Sequence, residues 1–502
     1  MNFVGMKIQA TEAPAPPREL GALARAVAAE PVADAISPVV LIGLVRLAEF
    51  LGVAAIGAAT YIAYVYPSFD ETSVAYSAAI LLISGAAIFA FQAFEIYSIA
   101  AFRSHIHQLT RLAVAWTLVF LVAFAISFFG KFDAVFSRIW VASWFSVGLA
   151  SLLIGRLALT AMVRRWARDG RLVRRVVIVG GGREGESLVR ALESEADSDV
   201  RICGVFDDRG GERSPLVVAG IPKLGTVEDL VQFTRLTRVD LVLVSLPLTA
   251  EERVLQMVRK LWVLPVDVRL AAHMNRLRFR PRAYSYIGNV PVLDIFDKPI
   301  ADWNMVMKTL FDRVAGLMIL ILLAPLMLAT AIAVKLDSPG PVLFRQRRLG
   351  FNNEVIEIYK FRSLYHEHAD PNARRIVTKD DSRVTRVGRF IRKTSIDELP
   401  QLFNVLRGEL SLVGPRPHAV EAPTANRLWE EVVDSYFARH RVRPGLTGWA
   451  QINGWRGELD TAEKLQHRVE HDLYYIENWS LLFDLYILMR TPFALMRSEN
   501  AY

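Results

Sequence analysis

Residues 314–334 read VAGLMILILLAPLMLATAIAV, twenty-one positions without a charge. At 1.5 Å per helical residue, such a run can cover a ~30 Å hydrocarbon core. Pro325 lies in its middle, where it removes an i→i−4 hydrogen bond and clashes with the preceding turn, so a kink is expected there. A spanning helix would carry everything after it across the membrane. Yet the downstream residues are strongly basic: Lys335, Arg345, Arg347 and Arg348, then Arg374, Arg375, Lys379, Arg383, Arg386, Arg389, Arg392 and Lys393. Such a load on the outer face violates the positive-inside rule. Charge therefore favours a re-entrant helix, about 312–335, over a kinked span. The last segment, 481–497, is apolar but interrupted by Asp484, Arg490 and Pro492, and reads as lying in the membrane interface.

Upstream, four apolar stretches occur at 39–66, 74–98, 112–129 and 139–161, with Arg46 and Glu49 one turn apart in the first. Arg164, Arg165, Arg168, Arg171, Arg174 and Arg175 follow the fourth, whereas the 67–73 link has no Lys or Arg. The N-terminus and everything after 161 are thus expected in the cytoplasm. Composition agrees with a chain partly in lipid: 53% hydrophobic and 22% charged residues, with a mean hydropathy of +0.28. A net charge of +8 suits an anionic partner such as a phospholipid surface, a nucleotide or a lipid phosphate. No nucleic-acid partner is expected. Cys203 is the single cysteine, so no intrachain disulfide can form. Residues 1–38, with five prolines and no signal-peptide pattern, read as a disordered tail.

From 174 the pattern becomes strand, glycine turn, helix: RRVVIVGGGREGESLVRAL places Gly180, Gly182 and Gly185 in G-x-G-x-x-G order. Further strands at 200–208, 240–247 and 264–270 predict a Rossmann-like α/β domain over 174–299. Asp207 or Asp208 falls where a ribose-binding acid would. The turn could bind a nucleotide, but many such folds keep it for strand–helix packing, and a docking or regulatory role is placed ahead.

Residues 303–502 hold the chemistry. Asp397 and Glu398 are adjacent carboxylates in Ser395-Ile396-Asp397-Glu398-Leu399-Pro400-Gln401. The bland reading is a helix N-terminal turn that favours acids. The functional one is a nucleophile beside a metal-holding or proton-handling partner, an aspartate being able to take a phosphoryl group as an acyl phosphate. Lys360-Phe361-Arg362-Ser363, Pro415-Arg416-Pro417 and Arg441-Val442-Arg443-Pro444-Gly445-Leu446-Thr447-Gly448 set cations beside rigid turns, which suits phosphate oxygens. Asp472 and Tyr475 stand in a run of acid and aromatics before the interfacial helix. Zinc, P-loop and serine-hydrolase signatures are absent from the sequence.

Together and in order, these stretches resemble the bacterial sugar transferases, the polyprenyl-phosphate glycosyl-1-phosphate transferases. Asp337-Ser338-Pro339-Gly340-Pro341 and Leu412-Val413-Gly414-Pro415-Arg416-Pro417 match as well, while Arg443 replaces the usual lysine of the Lys-Pro-Gly-Leu-Thr-Gly motif. The four helices and Rossmann-like domain resemble the large members, similar to undecaprenyl-phosphate glucose phosphotransferases. The resemblance implies a bacterial inner-membrane, multi-pass protein with a monotopic, α-rich catalytic domain on the cytoplasmic face. It further implies transfer of hexose-1-phosphate from a UDP-sugar, taken as UDP-glucose, to undecaprenyl phosphate, with release of UMP, as the first membrane step of exopolysaccharide assembly. Asp397 would be the nucleophile and, with Glu398, would hold Mg²⁺. Lys360, Arg362, Arg416 and Arg443 would grip phosphates, Asp472 and Tyr475 would contact substrate, and Pro325 would break the membrane helix. UDP-galactose stays open as donor, and a homodimer is expected. A membrane dehydratase or epimerase would need a Tyr-x-x-x-Lys pair, which the chain lacks. A non-catalytic scaffold is disfavoured by the intact dyad.

Overall fold

In a computed structural model of the chain, the described residues are 20–69, 74–98, 101–102, 106–131, 135–194, 200–210, 214–246, 251–271, 285–287, 290–368, 381–418, 423–424, 427–428, 436–455 and 461–497. They form two compact units, Pro31–Val173 and a second made of the segment up to Glu30 with Arg174 onward. The basic residues Arg374, Arg375 and Lys379, and positions 1–19 of the expected tail, lie outside the described residues.

In the first unit, four long helices cover the four apolar stretches: Pro38–Thr60, continued by a π-turn to Val65, Val74–Ala93, Ile106–Phe129 and Arg138–Arg168. Each is long and apolar enough to cross a membrane. Ser37 and Ser137 cap the first and last through their hydroxyls, satisfying backbone N–H groups that lipid could not. Trp116, Trp140 and Trp144 form the core, and each indole N–H donates to a backbone carbonyl, of Phe145, Gly57 and Val53 respectively. Arg156 pairs with Glu49 at 2.7 Å, and the Tyr97 hydroxyl donates to the same carboxylate. These partners make charges tolerable in an apolar bundle.

The second unit includes a short helix near the start of the chain. Residues 20–30 are not part of a disordered tail: Leu20 and, on helix Ala22–Ala28, Ala24 and Ala28 are buried against Leu224, Val227 and Leu230. Alanines at i and i+4 give a thin stripe that lets a short helix sit close on the α/β domain. That domain is an eight-stranded sheet. Its strands are β1 (Arg174–Val179), β2 (Val200–Phe206), β3 (Val217–Val218), β4 (Ile221–Gly225), β5 (Leu241–Val244), β6 (Asp267–Ala271), β7 (Ser285–Ile287) and β8 (Val290–Phe296), in the order β3-β4-β2-β1-β5-β6-β8-β7. β4, β2, β1, β5 and β6 run parallel, as the strand–turn–helix pattern predicts, while β3, β8 and β7 add antiparallel edges. Val177 and Val179 face one core and Val176 and Ile178 the other, so both faces of β1 are covered.

The rest is built on helix Asp302–Asp337, continuous through Pro325. The expected re-entrant bend would thus be a kink within one helix and not a gap between two, and the helix starts ten residues earlier than 312. Proline costs one hydrogen bond and imposes a tilt, not a stop, and packing on both sides of it holds the helix together. Before it, Lys308, Asp312 and Gly316 are buried; after it, Met327, Thr330 and Val334 are. The first group meets strand Ser411–Val413 and Val405, and the last meets Phe361 and Ile391. On the same helix, Met318, Ile321, Leu322, Leu328 and Leu336 remain exposed. A hairpin of β9 (Leu343–Leu349) and β10 (Val355–Phe361) and helices Arg386–Lys393, Gln401–Arg407, Ala462–Glu477 and Leu481–Arg497 complete the domain.

Candidate active site

Helix Arg386–Lys393 ends at Thr394, and Ser395 takes left-handed backbone angles (φ 59°, ψ 17°) uncommon for a side chain with a Cβ. The chain thereby turns into a single 3₁₀ turn, Ile396–Glu398, before helix Gln401–Arg407 begins. Asp397 and Glu398 are buried on that turn, 8% and 9% exposed. The N-cap of the following helix is Pro400, with no side-chain capping bond, so neither carboxylate caps that helix.

The two carboxylates differ in their partners. Glu398 is gripped by the Arg416 fork, one N–H donating to each oxygen (2.9 Å to Oε2), and by Lys360 Nζ at 3.1 Å. Among the described residues, the Asp397 carboxylate has no hydrogen-bond or ion-pair partner. Burial, and then the charge of Glu398, push its carboxyl up to about 6, against the opposing pull of Lys360, Arg392 and Arg416. Burial holds Lys360 below the usual lysine range, with Glu398 pulling the other way. For Arg416, burial is outweighed by Glu398, leaving it firmly cationic. Sequence reasoning missed Arg348 and Arg392. Burial and Arg416 draw Arg348 down to about 10, and its guanidinium donates to the carbonyl of Pro417 at 3.1 Å. The alternation of β9, which puts Gln346 and Arg348 on one face, was the available signal.

Several expected site residues serve the framework instead. Arg362 is buried, and its guanidinium donates to the carbonyls of Val334, Ser338 and Pro339, closing the end of the long helix. The end of a helix leaves carbonyls without partners, and five fixed N–H donors suit them as well as they suit phosphate. Asp472 pairs with fully buried Arg439, which also donates to the backbone carbonyl of Arg416 at 2.9 Å, so Asp472 positions the turn from behind. The Tyr475 hydroxyl donates to Asp484 at 2.7 Å within a buried group that includes Lys308. Arg443 lies half-buried beside Gly408 and Arg313, at the far end of a helix that runs ~10 Å on from the dyad. Its motif is scaffold: Gly414 and Gly445 approach so closely that a Cβ on Gly445 would sit 2.1 Å from the Gly414 nitrogen. Gly445 N–H donates to Pro415, which holds the Pro-Arg-Pro turn.

The glycine turn of the α/β domain is also spent on the fold. A Cβ on Gly185 would meet the Gly180 carbonyl at 2.1 Å, and Gly180 has φ +109°. Gly182 caps the next helix through its backbone alone. The Asp207 carboxylate accepts the Gly181 N–H at 2.7 Å and is paired with Arg209, while Asp208 accepts from the Val227 N–H. The Gly181 N–H is thus taken by a carboxylate of the chain itself, and both acids are engaged within the domain.

Among the described residues, no group of three or more His, Cys, Asp or Glu is placed to hold a metal ion. A divalent cation could find one or two carboxylates at the dyad, enough for Mg²⁺ that keeps its waters and takes phosphate oxygens. Asp397 is available; Glu398 would have to share its oxygens with Arg416.

The profile of the bacterial sugar transferases matches residues 303–498, and that of a CoA-binding domain matches 92–272. The chain is 40% identical over 360 residues to an undecaprenyl-phosphate glucose phosphotransferase of Komagataeibacter xylinus, covering 72% of this chain and 66%, just under two thirds, of that one. It is 36% identical over 388 residues to a UDP-glucose:undecaprenyl-phosphate glucose-1-phosphate transferase of Klebsiella pneumoniae, 77% of this chain and 81% of that one. The corresponding protein of Escherichia coli (strain K12) is 36% identical over 391 residues, with the same coverage. With five apolar helices long enough to cross a membrane among the described residues, these matches define a membrane-associated transferase. The chain belongs to the bacterial sugar transferase family, in its large form.

Proposed function

We propose that this enzyme transfers hexose-1-phosphate from UDP-glucose to undecaprenyl phosphate, and that Asp397 carries the group between them. An Asp397 oxygen attacks the β-phosphorus of the UDP-sugar; the bond to the bridging oxygen breaks and UMP leaves with that electron pair. A phosphate oxygen of the lipid then attacks the same phosphorus, forming the diphosphate and returning the aspartate carboxylate. The observation that carries this reading is the asymmetry of the dyad: Glu398 is tied by three donor contacts, whereas Asp397 is buried, unpartnered among the described residues and, at about 6, largely ionised at neutral pH. Lys360 and Arg416 would meet phosphate oxygens as charge develops on them. Asp397 and Glu398 would hold Mg²⁺, whose charge would offset that of the diphosphate.

The catalytic domain would stand on the cytoplasmic face of the inner membrane, its long helix dipping into one leaflet and returning. Support comes from that helix packing on one and the same domain at both ends, through Asp312 with Leu412 and through Val334 with Phe361. A soluble sugar nucleotide and an interfacial lipid phosphate could then visit one site in turn, at the start of exopolysaccharide assembly. The test uses purified protein in nanodiscs with undecaprenyl phosphate and Mg²⁺, following UMP release from UDP-glucose and UDP-galactose. Lipid-dependent release, faster with UDP-glucose and lost in Asp397→Asn, is expected. Undiminished release by the variant would end the covalent route, and preference for UDP-galactose would end the choice of sugar.

A further inference from the structure

The two cations that grip Glu398 sit on different elements, one reaching the α/β domain directly and the other through a neighbouring segment. Lys360 is near the end of β10, whose hairpin tip, Phe351–Asn353, lies roughly 20 Å back along the strand. There Asn352 and Asn353 have φ of 50° and 60°, a tight turn that presents both side chains. Asn352 Nδ2 donates to the carbonyl of Thr234 in the α/β domain at 2.8 Å. Asn353 Oδ1 meets His440 Nδ1.

Arg416 is held from behind by the 3₁₀ segment Tyr436–Arg441. On one side of this segment, the Tyr436 hydroxyl meets His418, and Arg439 donates to the Arg416 carbonyl at 2.9 Å. On the other side, the Arg441 guanidinium lies 5.9 Å from the ring centre of Trp262 and 5.4 Å from that of Phe296, and donates to the Asp297 carbonyl at 3.2 Å. Arg235 stacks over Phe437 at 5.3 Å. Arg441 is 6% exposed, and its charge is supported by these aromatic faces, that carbonyl and the carboxylate of Glu477.

We infer that the α/β domain is a clamp that sets where Lys360 and Arg416 stand about Glu398, with Trp262 and Asn352 as positioning residues. This gives the domain a task that needs no nucleotide. It acts through the site assigned above, but the contacts themselves do not depend on which substrate is used.

The test compares the full-length protein in nanodiscs with Trp262→Ala, Trp262→Phe and Asn352→Ala. Amide hydrogen exchange should quicken about tenfold over 436–441 and 411–418 in Trp262→Ala, and over 355–361 in Asn352→Ala, with β1 unchanged. UMP release should lose about tenfold in kcat at a KM for UDP-sugar held within about twofold, and Trp262→Phe should restore it. The double variant should depart from additivity, because both changes act on one carboxylate. Unchanged exchange at the three named segments would overturn the clamp, as would normal kcat in both alanine variants. Loss of protection throughout β1 would also overturn it, showing a role in folding only. If even the wild-type protein releases no UMP, the proposed reaction fails while hydrogen exchange still decides the clamp.

Discussion

Asp397 and Glu398 are neighbours in sequence with opposite electrostatic fates, and the difference can be read by titration. An Asp397 carboxyl near 6 must lose its proton to act, so UMP release should fall as pH drops below about 6, measured from pH 5 to 8. The same shift has a stability sign. The folded value lies above an unfolded one of ~3.9, so the native state binds the proton more tightly and stability declines as pH rises from about 4 to about 6. Asp397→Asn should therefore raise the melting temperature at pH 7.5 in EDTA, by on the order of 2 kcal/mol of stability, and leave it unchanged at pH 4. Arg416→Lys keeps charge but loses the fork to Glu398, and kcat should fall about 10- to 100-fold, the worth of one charge-assisted hydrogen bond. An equally active lysine variant would show that charge alone suffices.

At the scale of elements, a basic motif proves to be as much about backbone as about ligand. Arg362 closes the end of helix Asp302–Asp337, so Arg362→Met should lower the melting temperature by several degrees, from ~2 kcal/mol or more of lost carbonyl partners. The KM for UDP-sugar of the surviving enzyme should stay within about twofold. A tenfold rise in KM with normal melting would return Arg362 to the phosphate. Gly445→Ala places a methyl 2.1 Å from the Gly414 nitrogen, where only backbone can give way. It should cost ~3 kcal/mol or more and abolish folding of the catalytic domain, seen as loss of soluble, monodisperse protein. Gly155→Ala, with open space around it, is the neutral control.

For the whole molecule, the decisive question is which face each end of helix Asp302–Asp337 reaches. Asn304→Cys and Lys335→Cys, both at exposed positions, can be placed singly in a Cys203→Ser background. A membrane-impermeant maleimide should label both in inside-out vesicles and neither in intact spheroplasts. Labelling of the two from opposite sides would mean a spanning helix and would remove the single-leaflet arrangement. Topology bears on chemistry, because only a return to the same face keeps Lys308, Asp312 and Arg362 in the one domain that carries Asp397.

The apolar helices, the parallel core of the α/β domain and the acidic dyad with Lys360 and Arg416 were all legible in the chain before any contact was known. The helices and strands rest on local period and charge, whereas the dyad with Lys360 and Arg416 stands out only through the order of motifs that resembles the bacterial sugar transferases. The packing of residues 20–30 is not legible in sequence, because a few alanines and a leucine disclose no partner until Leu224 and Leu230 are brought beside them. Long-range packing settled which arginines meet carboxylate and which meet carbonyl: Arg362 and Arg416 look alike in sequence, but one faces a helix end and the other Glu398. It also settled that the glycine turn is filled by Asp207, and that Arg441 rests on Trp262. A guanidinium or a backbone N–H binds whichever anion or carbonyl the fold sets against it, and residues far apart in the chain make that choice.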